Sequence, residues 1–170
     1  MLVKSKVNFS NLLDQVMPKI NDVLSNQGEN HKLTEFVSRY IHFQNILDMG
    51  EMKFTSDYCK WAKKKGYRLN ERKAAEILAL AQNGIPTLPN SQSVKIAVSE
   101  AVKLIHSIEE SRNTILAQMQ DLCNTLPEYS VVKEMDCIGD TLAPRIIAEI
   151  GDVRRFKNKH SLIAYAGIDL

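Results

Sequence analysis

The sequence predicts an all-α protein: a helical region, then a long coiled-coil-like helix, then a helix-hairpin-helix-like segment. Three observations carry this. Apolar residues recur at three- and four-residue steps, the period of one helix face. A seven-residue apolar row persists from Val94 to Leu122. Only 7 glycines and 5 prolines interrupt 170 residues, and no stretch reads as a strand or an internal repeat.

The first periodic stretch is Phe9, Leu12, Leu13, Val16, Met17, Ile20, Val23 and Leu24, with Pro18 expected to kink or divide it and Gly28 to stop it. Short helices come next. Leu33, Phe36, Val37, Tyr40 and Ile41 share one face. Phe54, Tyr58, Trp61 and Ala62 share the next, with Gly66 just past its end. Lys63, Lys64 and Lys65 fall in that last turn, where the helix dipole favours cations. Asn70 suits the N-cap of ERKAAEILALAQ, which stops at Asn83-Gly84. Pro86 and Pro89 prevent a helix over residues 85–90 and mark a module boundary near residue 90.

The longest element is expected from about Ser93 to Leu126. Val94, Ala101, Ile108, Ile115 and Leu122 are spaced by seven, with Val98, Ile105, Met119 and Leu126 as a second row broken at Arg112. Such a repeat is the mark of a helix packed along another helix. The alternative is a long helix lying on a globular core. Pro127 ends the element. Beyond it come a short helix (Val131 to Met135), a turn at Cys137-Ile138-Gly139-Asp140, and a helix from Thr141 to Ile150 with Thr141 as N-cap and Pro144 in its first turn. Gly151 ends that helix, and Ser161 is expected to cap a last one, Leu162 to Ala166, stopped by Gly167. The expected organisation is residues 1–90, 91–127 and 128–170.

Apolar residues are 44% and charged residues 25%, a globular balance with enough chain to bury a core unaided. Apolar runs are no longer than Ile77–Ala81, far short of a membrane span, and no secretory signal is visible. Cysteines at 59, 123 and 137 form no disulfide framework, and no Cys/His cluster has zinc spacing. His31, His42, His106 and His160 fall in separate segments, without a Cys or acid at a ligand spacing, so packing or surface roles are expected. These features imply a reduced, cytoplasmic protein with no metal site, no cofactor and no membrane partner.

The net charge of +2 names no partner, but its distribution is uneven. From Lys53 to Lys73, eight basic residues (Lys53, Lys60, Lys63, Lys64, Lys65, Arg68, Arg72, Lys73) face Asp57 and Glu71, a local net of +6, with Tyr58, Trp61 and Tyr67 interleaved. Such a mixture binds nucleic acid by phosphate contact and stacking, unless the aromatics turn inward. From Arg145 to Lys159, five basic residues (Arg145, Arg154, Arg155, Lys157, Lys159) face Glu149 and Asp152, a net of +3. The turn at Gly139, with Thr141 and Arg145 beyond it, offers backbone N–H groups at a helix N-terminus, where a phosphate is favoured. The bland alternative is a helical hairpin with a solvated basic edge. No Gly-rich phosphate loop, Ser/His/Asp grouping or paired carboxylates supply an active site, so no catalytic residue is assigned.

DCIGDTLAPRIIAEIGDVRRFKNKHSLIAYAGIDL closely resembles the helix-hairpin-helix-bearing segment of insertion-sequence 110/116/902-type transposases, most recognisably in AEIGDVRRF and LIAYAGID. NFSNLLDQVMP, YCKWAKKKGY, GIPTLP and LPEYSVVKEM resemble the middle of the same proteins. The resemblance implies a neighbourhood. An acidic nuclease-like domain comes first, a coiled-coil middle is next, and a terminal domain supplies a serine that attacks DNA. It also implies a DNA partner, a structured guide RNA, homo-oligomers through the coiled coil, and a divalent metal such as Mg²⁺ in the full-length enzyme. On this comparison the chain begins after the acidic domain, stops before the serine, and is inactive alone. Ser161 lies in a helix-cap context and receives no nucleophile role. Cys137 replaces the first glycine of the usual Gly-x-Gly turn, and its Cβ opposes close phosphate approach. The expected function is therefore DNA binding and oligomerisation within a transposase. The alternatives are a stand-alone nucleic-acid-binding module and a coiled-coil interaction protein.

Overall fold

The computed structural model describes residues 2–25, 31–68 and 70–167, and among them the protein is all-α. The helices are α1 (Leu2–Val16), α2 (Ile20–Val23), α3 (Lys32–Tyr40), α4 (Phe43–Met49), α5 (Glu51–Lys64), α6 (Glu71–Asn83), α7 (Gln92–Cys123), α8 (Glu128–Lys133), α9 (Ala143–Ile150) and α10 (Lys159–Tyr165). A 3-10 turn at Val153–Arg155 precedes α10. No helix among the described residues is long and apolar enough to cross a membrane. The chain forms two compact units, Met1–Glu109 and Glu110–Leu170, which divide within α7.

In the first unit the predicted faces close over one core. Leu13, Val16, Met17 and Ile20 pack with Phe36, Tyr40, Phe43, Phe54, Tyr58 and Ile77, all essentially inaccessible. Burying one such side chain stabilises by roughly 1.5–3 kcal/mol, so this cluster dominates the unit's energetics. Pro18 divides α1 from α2, with Lys19 in the left-handed region at φ 63°. Gly28, the expected stop, lies outside the described residues. Asn70 caps α6 by accepting from the Lys73 amide, and the chain leaves that helix at Gly84.

The break between α3 and α4 has no counterpart in the apolar periodicity. Ile41 adopts φ 63°, ψ −45°, and the His42 amide donates to the Tyr40 carbonyl at 2.6 Å. This is a left-handed γ-turn, rare and strained for a β-branched residue. Buried His42 holds it. Its Nδ1 accepts from the Gln44 amide at 3.0 Å, which leaves the proton on Nε2 to donate to the Leu88 carbonyl at 3.0 Å. The proline-bearing loop is thus tied to the α3–α4 junction. The Thr87 and Leu88 amides tie the same loop to α1 through the Gln15 carbonyl, at 2.9 and 3.2 Å.

Within the first unit α7 lies on the core. Its buried residues are Val94, Val98, Val102 and Ile105, a 3.6-residue stripe. Ala101 and Ile108, from the seven-residue row, are only half-buried. The N-terminal half of α7 is therefore a long helix lying on a globular core, the alternative to a coiled coil.

In the second unit a small core joins Cys123, Tyr129 and Ala143, with Val132, Ile138 and Ile147 packed against it. Several boundaries differ from expectation, and α8 spans Glu128–Lys133 rather than Val131 to Met135. Helix α7 stops at Cys123, because the Thr125 and Leu126 amides turn back onto the Leu122 and Cys123 carbonyls. Helix α9 begins at Ala143 rather than at Thr141. Leu142 is its N-cap and makes no side-chain cap, while the Leu142 and Ala143 amides are satisfied by the Gly139 carbonyl at 3.0 Å each. Helix α10 is capped by Asn158, which accepts from the Ser161 amide at 3.0 Å, so Ser161 is capped rather than capping. Gly151 and Gly167 end their helices at φ 62° and 73° as expected.

Candidate nucleic-acid interface and association seam

The basic face is carried on α5. Phe54, Tyr58 and Trp61 point into the core, so Lys60, Lys63 and Lys64 must point out, and all three lysines are exposed. The inward aromatics answer the stacking question: Tyr58 is fully buried and Trp61 nearly so, so neither ring is available for stacking and the face presents positive charge. Lys65 is less free, because its Nζ pairs with Glu35 Oε1 at 2.9 Å and Tyr67 donates to the other oxygen at 3.0 Å. Arg72 and Lys73 share Glu76 on α6.

Helix α5 is fixed to α3 by a carboxylate fork. Arg39 Nε and Nη2 donate to Asp57 Oδ2 and Oδ1 at 3.0 and 2.6 Å, and Tyr40 OH donates to Oδ2 at 2.8 Å. The Arg39 hydrogen bonds hold the Asp57 carboxyl below its ordinary range against the opposing effect of burial. Burial pushes the Tyr40 hydroxyl up, and its hydrogen bond to Asp57 adds to that.

The hairpin turn departs from its expected mechanics. The left-handed residue is Cys137, at φ 67°, whereas Gly139 lies outside the left-handed region and a Cβ there would meet nothing within 4 Å. The amides of Gly139, Asp140 and Thr141 donate no backbone hydrogen bond among the described residues, so donors remain at this end of α9. The Asp140 side chain opposes an incoming anion, and Lys133 pairs with it and lowers its pKa. Gly139, Thr141 and Arg145 are exposed, as is Lys157. Arg154 is paired with Asp152 through Nε–Oδ1 at 2.9 Å, and Asp152 also accepts from the Arg154 amide. The Arg155 guanidinium stands 4.7 Å from the ring centres of both Phe156 and Tyr165. The two arginines thus have local partners that any phosphate must share.

In the second unit, Ile115 is 56% exposed and Leu122 is 69% exposed. They continue the seven-residue row that Val94 begins, with half-buried Met119 between them. An apolar row at this spacing on a helix has the form of a packing seam with no cover.

Residues 129–170 match the family described as Transposase IS116/IS110/IS902. Over these residues the chain is similar to a transposase segment of that family. Over 157 residues, 92% of the chain, the sequence is 22% identical to the insertion element IS110 uncharacterized 43.6 kDa protein of Streptomyces coelicolor. The chain spans 38% of that relative's length. No solved structure matches it.

The matched residues contain the turn, α9, the Arg154/Arg155 pair and α10. Ser161 in it is bound to its cap, with Oγ 3.2 Å from Asn158 Oδ1. One grouping in the first unit is invisible to spacing along the chain: His31, His106 and Glu109 come together, with one ligand atom from each within 4.8 Å of the others. The expectation that no histidine has an acid at a ligand spacing fails for His106, which stands three residues from Glu109 on α7, whereas nothing local places His31 beside them.

Proposed function

We propose that this chain is the part of an insertion-element DNA transposase that joins copies of the enzyme and grips the DNA backbone. The observation that carries it is the uncovered seam on α7. Ile115 and Leu122 stay exposed at heptad spacing, while the helix's N-terminal half is already occupied by its own core. A second copy of the same helix offers the matching repeat, which makes a homotypic coiled coil the simplest cover.

DNA contact would come from Lys60, Lys63 and Lys64 in the first unit, with Lys65 in a lesser role. In the second unit it would come from Arg145, Lys157 and the amides beside Gly139. These groups neutralise phosphates and read no bases, so binding is salt-dependent and sequence-tolerant. A structured guide RNA would meet the same groups, since its backbone carries the same charge. Mg²⁺-dependent strand chemistry belongs to the full-length enzyme, and no residue here is assigned to it.

The test is sedimentation of the wild-type chain and of an Ile115→Lys/Leu122→Lys variant over a concentration series. The seam reading expects wild type to self-associate and the variant to remain monomeric with its helical signal intact. Equal association of the two proteins would remove the seam from the account.

A further inference from the structure

We propose that His31, His106 and Glu109 form a binding site for a divalent transition-metal ion of the zinc class. His106 and Glu109 share one face of α7, and His31 immediately precedes α3 in the same unit. The three ligand atoms lie within 4.8 Å of one another. Metal–ligand bonds of about 2.0–2.2 Å place the ligand atoms of one tetrahedral ion roughly 3.4 Å apart. His31 Nδ1 and Glu109 Oε2 are already 3.2 Å apart, so small side-chain rotations close the set.

The polar accounting supplies the independent observation. His31 Nδ1 and Glu109 Oε2 are both inaccessible to water and form no hydrogen bond among the described residues, although they face each other. Buried polar atoms in this state cost free energy, and a shared cation satisfies both at once. Lys6 Nζ holds the other carboxylate oxygen, Oε1, at 2.8 Å, so Glu109 is oriented with Oε2 toward the histidines. An outer partner that fixes a ligating carboxylate is a recurrent feature of metal sites. The His106 ring packs edge-on to His31, with centroids 5.1 Å apart.

The donor set selects the ion. Two imidazoles and one carboxylate suit zinc and its neighbours, whereas magnesium and calcium require oxygen. The Lys6 charge weakens a dication's attraction to Glu109. Three protein ligands leave a fourth position for water. The ion would link His31, at the N-terminus of α3, to α7 within the first unit, a structural role independent of the DNA-binding and association proposals.

The test uses the metal alone. The chelator-stripped chain is titrated with Co²⁺, monitored by visible absorption, and with Zn²⁺, monitored by calorimetry and thermal melting. The expected result is one equivalent bound, ligand-field bands that Zn²⁺ displaces, and a higher melting temperature. His106→Ala and Glu109→Gln should each weaken binding at least tenfold, and exposed His160→Ala should not. Circular dichroism confirms that each variant is folded, and the wild-type Co²⁺ spectrum reports the site without any variant. Absence of Co²⁺ bands at one equivalent, or equal affinity in all folded proteins, would overturn the site and leave His31 and Glu109 as an ion pair.

Discussion

Replacing Cys137 with glycine should stabilise the second unit. At φ 67° the Cys137 backbone is left-handed. That conformation costs an L-residue about 1–2 kcal/mol, and glycine adopts it without penalty. Glycine also widens the unfolded ensemble, which costs back about 0.4–1 kcal/mol. The Cys137 side chain is exposed and outside the small core of Cys123, Tyr129 and Ala143, so little packing is lost. The balance is a gain of about 0.5–1 kcal/mol. Gly139 is the paired control. Its φ lies outside the left-handed region and a Cβ there meets nothing, so Gly139→Ala should be neutral or slightly stabilising, although it is the glycine that the turn keeps from the usual Gly-x-Gly pattern. The assay is denaturant unfolding in the presence of a reductant, with the mid-point and slope compared for both variants. Destabilisation by Cys137→Gly, or a loss above about 1 kcal/mol with Gly139→Ala, would refute the assignment of strain in this turn.

Asp57→Asn should lower stability at neutral pH by about 0.5–1 kcal/mol, a small figure because the Arg39–Asp57 fork is partly solvated. The folded Asp57 carboxyl is held below its unfolded value, so this contribution is complete above pH ~4 and lost as pH falls through the folded pKa. Unfolding free energies of wild type and variant should therefore converge in acid, and a gap independent of pH would contradict the assignment. For DNA, a Lys60/Lys63/Lys64→Glu variant should bind duplex more weakly, with the slope of log affinity against log salt shallower by about 0.9 for each phosphate no longer neutralised. Lys65→Glu should have a smaller effect, since Glu35 already engages Lys65. Equal slopes in a salt titration would return the α5 lysines to ordinary surface.

Local signals in the sequence are enough for α5 and α6, whose stripes, caps and stop glycines lie within a few residues of the helices they define. The same holds for Pro18 and for the glycines after α9 and α10. The seven-residue row is harder. Periods of 3.5 and 3.6 drift by only about 20° per heptad, so Val94 and Val98 fit both a coiled coil and a helix on a core. The cover over the helix decides between them, and tertiary packing sets that. The γ-turn at Ile41 has no signature, because nothing in Tyr40-Ile41-His42 announces a left-handed isoleucine. Pairing of Arg154 with Asp152 is legible two residues away, whereas the Arg155 stack depends on Tyr165 arriving from α10. His31 is brought to His106 and Glu109 by long-range packing alone, and their separate segments give no reason to group them.

The most direct measurement of the proposed function is light scattering of the intact chain, alone and with duplex DNA, at low and high salt. The account predicts a mass of at least two 19.2 kDa copies without DNA. It predicts a larger complex with DNA at low salt, and return to the DNA-free oligomer at high salt, because charge holds the DNA and apolar burial holds the copies. A monomer at every concentration, with no mass gained on adding DNA, would contradict it.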